Sequence, residues 1–364
     1  MDFDLTDEQR MLKDSVDRLV KDEYGFEQRA RYLAEPDGFS RAQWSRYADM
    51  GLLGLTFDEG FGGSGCGPVE TMIVMEAFGR GLVVEPYLAT VVLGGGCIRL
   101  GGSVAQRAAI LPQVADGSLL LAMAHAEPQS RYDVADVATT ARRDNAGWVL
   151  DGAKRIVVHG GCADRLVVSA RVSGARRDRD GIGLFLVDAQ APGLTRREYL
   201  TQDRLRAADI DLSGVRVTDD DVIGVAGEAL PLIETVVAQA IAALCAEAVG
   251  SMAAAHEETV EYLKVRKQFG VAIGSFQALQ HRAVDMLVMV EQARSMAAAK
   301  VQIGRAGRFV GQQGVQLHGG IGMTEECKVG HYLRRLSVID ILFGAAEHHL
   351  TQLAGAGGLI DAAL

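Results

Sequence analysis

The chain has 364 residues, of which 48% are hydrophobic and 23% are charged. This balance is typical of a folded globular protein, and the length suits two or three packed units rather than one core. The formal net charge of -10 disfavours a nucleic-acid groove or an anionic membrane surface as a partner.

Cysteine usage and the start of the chain favour a reducing compartment. The five cysteines are scattered, with no CxxC pair and no Cys/His cluster, which disfavours a disulfide framework and a zinc site. We therefore expect reduced and mostly buried thiols. No stretch looks long and apolar enough to span a bilayer, and "MDFDLTDEQR" lacks a signal-peptide core. We expect a cytoplasmic protein without a membrane partner.

The first third of the chain has helical patterns. Thr6 with Gln9, and Ser40 with Gln43, are spaced as capping boxes at two helix starts. After Thr6, apolar residues recur at helical spacing, and residues 34–40 ("AEPDGFS") predict a turn between helices.

The middle of the chain changes to β-strand patterns. Four short runs, at 147–158, 164–172, 181–188 and 209–217, are rich in β-branched residues and separated by turn signals. Their spacing predicts a small all-β module of about a hundred residues, either a barrel or a sandwich.

Long helical patterns return from Ala229. Gly250 is the one internal breaker of the first, and Ser275 is a candidate N-cap for a second that continues to Gln302. Both are rich in alanine, which allows close approach to neighbouring helices in a bundle. We therefore predict three domains, at residues 1–120, 121–226 and 227–364.

Two C-terminal stretches carry candidate binding chemistry. "VRKQFG" (265–270) ends one long helix and "IGSFQALQH" (273–281) begins the next. The Arg266 guanidinium and the free N–H groups of a helix start could together hold an anion.

The second stretch is "GVQLHGGIGMTEE" (314–326). Gln316 offers an amide side chain, while Gly319 and Gly320 allow a ligand to lie against bare backbone. Either stretch alone is equally compatible with a capped turn. Both together, after a β module, are more specific.

Over essentially its whole length the chain resembles the acyl-CoA dehydrogenase family. The two stretches above look like that family's C-terminal signatures. "AEPQSRYDV" (126–134) looks like a degenerate flavin-loop motif, and "DGAKRIVVHGG" (151–161) like the strand that follows it. Within the family the chain is most similar to the short small-subunit type known from pimeloyl-CoA dehydrogenase. Paired subunits that act on steroid side-chain thioesters are close alternatives.

The resemblance implies an α+β multidomain fold with an N-terminal helical domain, a middle β-barrel and a C-terminal four-helix bundle, usually assembled as tetramers. In the family, FAD lies between the middle and C-terminal domains, and its ADP half crosses a subunit interface. A Glu removes the α-proton of the acyl-CoA while a hydride passes from the β-carbon to flavin N5. The implied partners are an acyl-CoA substrate, a homologous larger subunit and an electron-transfer flavoprotein.

The resemblance carries over unevenly to single residues. The positions that would hold the ADP and pyrophosphate of a neighbouring subunit's FAD are occupied by suitable residues. They are Arg266, Phe269, Gln277, Gln316, Gly319 and Gly320, and Phe276 takes a seventh position, where a His is often found. The positions that would serve this subunit's own flavin ring are mostly replaced. "AEPQSRY" stands for Thr-Glu-Pro-Gly-Ala-Gly-Ser, with the hydroxyl lost at Ala126, and "IVV" (156–158) stands for Trp-Ile-Thr.

The position of the family's base is also replaced. Where many members have Tyr-Glu-Gly-Thr, this chain has "LFGA" (342–345), so that Phe343, which cannot accept a proton, takes the place of the Glu. Ala345 removes a hydroxyl near the flavin. The Glu-His-His that follows (347–349) does not suggest a metal site, because consecutive helical side chains point about 100° apart. We expect a polar helix surface or a subunit contact there.

A substitute base is the remaining question about catalysis. Some members carry the Glu on the helix before the Arg signature, where this chain has Ala240. Glu247 lies seven residues farther on, nearly on the same helix face, in apolar surroundings where an unpaired carboxylate is costly to ionise. Glu247 is therefore a candidate catalytic base, and the alternative is a buried interhelical hydrogen bond or ion pair.

Three functions are compatible with this pattern. The first is an FAD-dependent acyl-CoA dehydrogenase subunit in a heterotetramer, which completes the FAD site of a larger partner that supplies the base. The second is a self-sufficient homo-oligomeric dehydrogenase that uses Glu247. The third is a non-catalytic scaffold that binds acyl-CoA or FAD.

Overall fold

The computed structural model describes residues 5–295 and 300–355. Within these residues the chain forms two compact units. The first unit draws on residues 5–30, Met72–Val83 and the described residues from Ile241 onward, and the second on Arg31–Thr71 and Val84–Ala240. The three domain boundaries expected from the sequence stay a prediction.

The amino-terminal part is helical, as its periodicity predicts. At the first helix the Thr6 capping box is confirmed, because the Gln9 amide donates to Thr6 Oγ1 at 3.2 Å and the Thr6 amide to Gln9 Oε1 at 3.0 Å. The helices are α1 (Asp7–Glu23), α2 (Phe26–Leu33), α3 (Arg41–Asp49), α4 (Pro68–Gly81), α5 (Gly96–Gly101) and α6 (Val104–Ala115), with a π-helical segment at Leu88–Gly95.

The second predicted capping box is wrong. Ser40 precedes α3 but makes no side-chain cap. Its amide donates to Glu85 Oε1 at 3.3 Å, and Gln43 Nε2 donates to the Tyr32 hydroxyl at 2.9 Å. Since both residues are buried, they are paired within the core of the second unit instead of at the helix start.

The middle of the chain folds into one eight-stranded mixed sheet. All four predicted runs are strands. Four strands were not predicted: β1 and β8 are short, β2 is polar, and β6 ("LTRREYL") shows no apolar alternation. The strands are β1 (Leu121–Ala124), β2 (Thr140–Asp144), β3 (Gly147–Val158), β4 (Arg165–Arg171), β5 (Ile182–Asp188), β6 (Leu194–Leu200), β7 (Arg206–Val217) and β8 (Val222–Ile223).

The strand order places the two longest strands side by side. The sheet runs β6-β7-β3-β2-β4-β5-β8, and β1 pairs with β4 in parallel. Inward-facing side chains such as Leu150, Leu166, Phe185 and Ile210 form its core, where Trp148 packs on Phe185 with ring centroids 5.5 Å apart.

The carboxy-terminal part returns to helices. These are α7 (Leu230–Val265), α8 (Gln277–Ser295), α9 (Lys300–His318), α10 (Lys328–Ile341) and α11 (Ala346–Gly355), with a small hairpin of β9 (Lys267–Gln268) and β10 (Val271–Ala272) after α7. The predicted N-cap at Ser275 is wrong, because its hydroxyl donates to the Ala272 carbonyl at 2.7 Å within a 3-10 turn. The helical pattern predicted up to Gln302 is present in α8 and at the start of α9, and residues 296–299 lie outside the described residues.

Two glycines allow α4 and α7 to touch. A Cβ atom on Gly79 would lie 1.9 Å from the Glu247 carbonyl oxygen, and one on Gly250 would lie 1.9 Å from the Glu76 carbonyl oxygen. Gly250 is therefore a close-packing residue inside an uninterrupted helix, and not the breaker that the sequence suggested.

Helix α7 corrects the expectation that no stretch is apolar enough to span a bilayer. It has 36 residues, and its best 18-residue window reaches a mean hydropathy of 1.7. A core helix of a water-soluble protein satisfies the same criteria, and 56% of that window is buried inside the fold. Burial accounts for its composition.

All five cysteines are free thiols. Cys97 and Cys245 are buried, and burial raises the pKa of each thiol to about 12. The other three are partly exposed, so the expectation of mostly buried thiols is wrong for Cys66, Cys162 and Cys327.

Candidate functional site

The two C-terminal signatures meet in one groove of the first unit. It forms where the hairpin after α7 faces the 3-10 helix Gly319–Met323 that follows α9, and its volume is about 370 Å³. Guanidinium, amide and bare backbone groups line it, a set that suits an anionic ligand. The lining residues are Tyr262, Arg266, Gln268, Ile273, Leu279, Arg282, Gln316, Leu317, His318, Gly319 and Gly320.

An aromatic pair forms part of this groove. The rings of Tyr262 and His318 stack with centroids 4.3 Å apart and planes inclined by 24°. His318 Nδ1 lies 2.8 Å from the Gly314 carbonyl oxygen, which fixes the orientation of its ring. Sequence reasoning missed both residues, although Tyr262 lies four residues before Arg266, whose amide donates to the Tyr262 carbonyl at 2.9 Å just after the end of α7.

A second concavity adjoins the groove and shares Arg282 and Gln316 with it. Its volume is about 610 Å³, and Arg282 Nη1 donates to Gln313 Oε1 at 3.4 Å. The polar lining therefore continues from one concavity to the next. The lining residues are Arg282, Gln312, Gln313, Val315, Gln316 and Leu333.

Two aromatic rings lie outside the groove, Phe269 in the hairpin after α7 and Phe276 directly before α8. Phe269 is 91% exposed with φ +53°, and it meets Phe276 edge to face at 6.0 Å between centroids. Gly270 follows with φ +82°, so both turn residues have positive φ, as in the tightest hairpin turns. Gln277 begins α8 and is exposed. These three sequence-predicted residues do not line the groove.

In the second unit, the motif at 126–134 and strand β3 meet at a buried ion pair. Lys154 Nζ donates to Glu127 Oε1 at 2.6 Å and to Ser169 Oγ at 3.0 Å. Although burial opposes its charge, the Lys154 ammonium together with donors from Gln129 and Thr139 lowers the pKa of Glu127 to about 2. Burial lowers the pKa of Lys154 to about 8 even though Glu127 opposes this. Both groups are charged at neutral pH.

The replaced residues of this motif build a network of their own. Gln129 Nε2 donates to Glu127 Oε2 at 2.8 Å and to Asp136 Oδ1 at 3.3 Å. The buried Asp136 carboxylate pairs with Arg176 Nε at 2.9 Å and Arg177 Nε at 2.8 Å. The loop is therefore held by its own polar side chains, where the family motif has small residues.

Strand β3 carries a bulge directly after Lys154. The register pairs Lys154 with Ile210 and Val157 with Ala208, so Arg155 and Ile156 stand opposite the single residue Asp209. Ile156 has φ +53°, a region that costs a β-branched residue on the order of 1–3 kcal/mol. A strained, bulged position of this kind re-aims a side chain.

The turn with Phe343 is fixed by a buried cation. Lys300 Nζ donates to three carbonyl oxygens, at 2.7 Å to Ile339, 2.8 Å to Asp340 and 3.0 Å to Gly344. These include orphan carbonyls at the end of α10. Burial lowers the pKa of Lys300. Phe343 has φ +56°, and Gly344 follows with φ +114°.

Glu247 is held in a buried, bidentate ion pair. Arg335 Nε donates to Glu247 Oε1 at 2.5 Å and Arg335 Nη2 to Oε2 at 2.8 Å. The Glu247 side chain is 5% exposed and the Arg335 side chain is 9% exposed. Both carboxylate oxygens are thus engaged by a permanent cation, which favours the ion-pair interpretation of Glu247 over the catalytic base.

The Glu-His-His segment lies at the start of α11. Glu347 is exposed, and the rings of His348 and His349 meet edge to face with centroids 5.3 Å apart. Burial, with Lys300 and His348 nearby, lowers the pKa of His349. Within residues 5–295 and 300–355, no group of three or more His, Cys, Asp and Glu side chains is placed to hold a metal ion.

Comparison with known protein families covers nearly the whole chain. The N-terminal, middle and C-terminal domain models of acyl-CoA dehydrogenase match residues 6–118, 122–219 and, in two stretches, 230–298 and 295–357. The chain belongs to the acyl-CoA dehydrogenase family. The family prediction is confirmed, and so is the fold class of helical, sheet-rich and again helical parts.

Individual relatives span almost the full length of this acyl-CoA dehydrogenase family member. It is 28% identical over 371 residues to the probable acyl-CoA dehydrogenase YngJ of Bacillus subtilis, covering 95% of this chain and 97% of that protein. The solved Tcur3481-Tcur3483 steroid ACAD has 30% identity and a TM-score of 0.84, with 96% and 97% of the two chains covered. The FAD complex of PigA has 25% identity and a TM-score of 0.88, with 99% and 100% covered.

Within this acyl-CoA dehydrogenase fold, four of the seven predicted FAD contacts share one groove. They are Arg266, Gln316, Gly319 and Gly320. Gly319 has φ +66°, which only glycine adopts without strain, and a Cβ atom on Gly320 would meet nothing within 4 Å. The backbone at Gly320 therefore faces open space.

Proposed function

We propose that this chain is a subunit of an FAD-dependent acyl-CoA dehydrogenase that converts an acyl-CoA thioester to the 2-enoyl-CoA. In this proposal it completes the FAD site of a larger, homologous partner subunit, as in the small-subunit type. The observation that carries the proposal is the contrast between the groove expected to hold FAD and the position expected to hold the catalytic base. The groove around Arg266 and Gln316 is intact, whereas Phe343 occupies the place of the base.

The groove residues fit the ADP half of FAD. A pyrophosphate is a doubly charged anion, and Arg266 and Arg282 supply two permanent cations to the same groove. Gln268 and Gln316 add amide groups that suit ribose and phosphate oxygens. FAD, when bound, supplies the hydride acceptor for the reaction. The residues of this chain contribute charge neutralisation and orientation.

The chain's own acidic residues support a base on the partner. Ala240 stands at the alternative base position of the family, and Glu247 is engaged by Arg335 on both oxygens. A carboxylate in a bidentate pair would have to break two charge-assisted hydrogen bonds before it could reach a substrate proton. This favours the split site over the self-sufficient enzyme that uses Glu247.

Exposed apolar side chains supply a surface for subunit contact. Phe269 in the hairpin after α7 and Phe276 just before α8 are exposed, and α8 exposes three large aliphatic side chains: Val284, Leu287 and Val288. Exposed apolar residues grouped in this way mark protein interfaces. The two named components of the steroid ACAD relative support a hetero-oligomer. A steroid or other bulky thioester, an electron-transfer flavoprotein as acceptor and a cytoplasmic location complete the proposal.

Arg266→Gln in the complex with the larger subunit tests the proposal. Loss of a charged hydrogen-bonding partner is expected to weaken FAD retention by roughly ten- to a hundredfold. Lys264→Gln is the matched control, because Lys264 is an exposed cation two residues away that pairs with Glu261 instead of lining the groove. FAD released equally by both variants, or by neither, would contradict an ADP site at this groove.

A further inference from the structure

Three polar side chains of the groove have no protein partner within residues 5–295 and 300–355. The Arg266 guanidinium, the Gln316 amide and the Tyr262 hydroxyl all line the groove, and none of them makes a hydrogen bond or an ion pair there. Their donors are therefore available to a ligand. Arg266 and Gln316 belong to the two C-terminal signatures, whereas Tyr262 lies outside both.

The ring of Tyr262 is held in place by a second ring. His318 stacks on it with centroids 4.3 Å apart and planes inclined by 24°. The His318 side chain is buried, and its Nδ1 lies 2.8 Å from the Gly314 carbonyl oxygen. Since a carbonyl oxygen only accepts, Nδ1 is the donor in this bond. A ring anchored to backbone thus fixes the Tyr262 ring, which reduces the entropy lost when a ligand binds.

Tyr262 and Arg266 stand one helical turn apart on the same segment. The Arg266 amide donates to the Tyr262 carbonyl at 2.9 Å, so the turn continues just past the end of α7. A phenol O–H beside a guanidinium suits a phosphate group, whose oxygens accept hydrogen bonds and whose charge the guanidinium neutralises. A hydrogen bond to a charged oxygen is also stronger than one between neutral groups.

We propose that Tyr262 is a ligand-contact residue whose hydroxyl donates to a phosphate oxygen, and that His318 is the positioning residue that holds its ring. The inference deepens the proposed function and rests on it, because the phosphate is then part of the ADP half of FAD. The hydroxyl serves the bound ligand and not the fold, since it has no partner of its own in the described part of the chain. A ring needed only for packing could equally be phenylalanine.

The first test compares two tyrosines of the same unit. Tyr262→Phe, in the complex with the larger subunit, should raise the dissociation constant of FAD about tenfold, measured from flavin fluorescence on dilution. The melting temperature of the full chain should stay unchanged, because no hydrogen bond of the fold is lost. Unchanged FAD affinity of Tyr262→Phe would overturn the proposal.

Tyr332→Phe is the matched control, with the opposite pattern expected. Tyr332 is buried, and its hydroxyl donates to the Arg80 carbonyl away from the groove. Its melting temperature should fall while FAD affinity is retained. Parallel losses of stability in Tyr262→Phe and Tyr332→Phe would overturn the assignment of the Tyr262 hydroxyl to a ligand.

The positioning role of His318 is tested by two substitutions. His318→Leu removes the stacked ring and should weaken FAD binding, whereas His318→Phe keeps a ring against Tyr262 and should retain most of the affinity. Equal losses in the two variants would overturn the positioning role.

Inorganic pyrophosphate separates the phosphate contact from the rest of FAD. Titrated into the full chain and followed by calorimetry, it should bind about tenfold more weakly to Tyr262→Phe. Equal binding by both chains, or binding by neither, would overturn the phosphate contact. If Arg266→Gln weakens FAD binding and Tyr262→Phe does not, this inference alone fails. If neither variant weakens it, the proposed function fails as well.

Discussion

Removal of one partner of the Glu247–Arg335 pair gives the sharpest energetic prediction. Both side chains are buried, and two hydrogen bonds of 2.5 and 2.8 Å join them. Glu247→Ala leaves the guanidinium buried without its counter-charge, which should cost about 3–5 kcal/mol of unfolding free energy. Glu247→Leu combined with Arg335→Met removes both charges and should recover most of that loss.

Urea unfolding of the full chain, followed by circular dichroism, measures these differences. Glu325→Ala is the control, because Glu325 pairs at 2.6 Å with Arg334, the neighbour of Arg335, but is 57% exposed. It should cost at most about 1 kcal/mol. A cost below about 1 kcal/mol for Glu247→Ala would refute the structural role. The structural role would also be refuted if Glu247→Gln abolished turnover of the mixed complex while its stability and FAD content stayed unchanged. A catalytic base requires that result.

Three further predictions concern the rest of the fold. The folded-state pKa of Glu127, about 2, lies below its ordinary 4.5, so its stabilising contribution is complete above pH 4.5. About 3 kcal/mol should be lost as the pH falls through this interval, and Glu127→Gln should flatten that part of a stability profile. Gly250→Ala should destabilise by about 1–3 kcal/mol through the clash with α4, whereas Gly25→Ala, which meets nothing within 4 Å, should change thermal stability little. Lys300→Met leaves three carbonyls without their donor and should cost more than about 2 kcal/mol, against less than about 0.5 kcal/mol for the exposed Lys264→Met, both measured by denaturant unfolding. Equal effects in either matched pair would contradict the contacts assigned here.

Local patterns made part of the fold predictable. The Thr6 capping box, the four β-rich runs and the long α7 pattern each depend on residues close in sequence, and all are present. The two motifs of the groove are local as well, but only the family resemblance implied that they act on one ligand. Arg266 and Gln316 stand at or near helix ends that motifs of a few residues define.

Long-range partners were not predictable from one sequence. Arg335 is 88 positions from Glu247, so periodicity could show that Glu247 is buried but not which cation neutralises it. The bulge opposite Asp209 depends on strand register, which the β-rich runs did not specify. Ser40 and Gln43 had the spacing of a capping box, but their burial gave them other partners.

The flavin content of the chain, alone and in complex, tests the central claim most directly. The chain is purified by itself and co-purified with a larger homologous subunit, and flavin absorbance per chain and native mass are recorded for each preparation. The proposed split site predicts stoichiometric flavin only in the mixed complex, because this chain contributes the groove around Arg266 and the partner contributes the base and most ring contacts. A flavin-loaded, active homo-oligomer of this chain alone would contradict it.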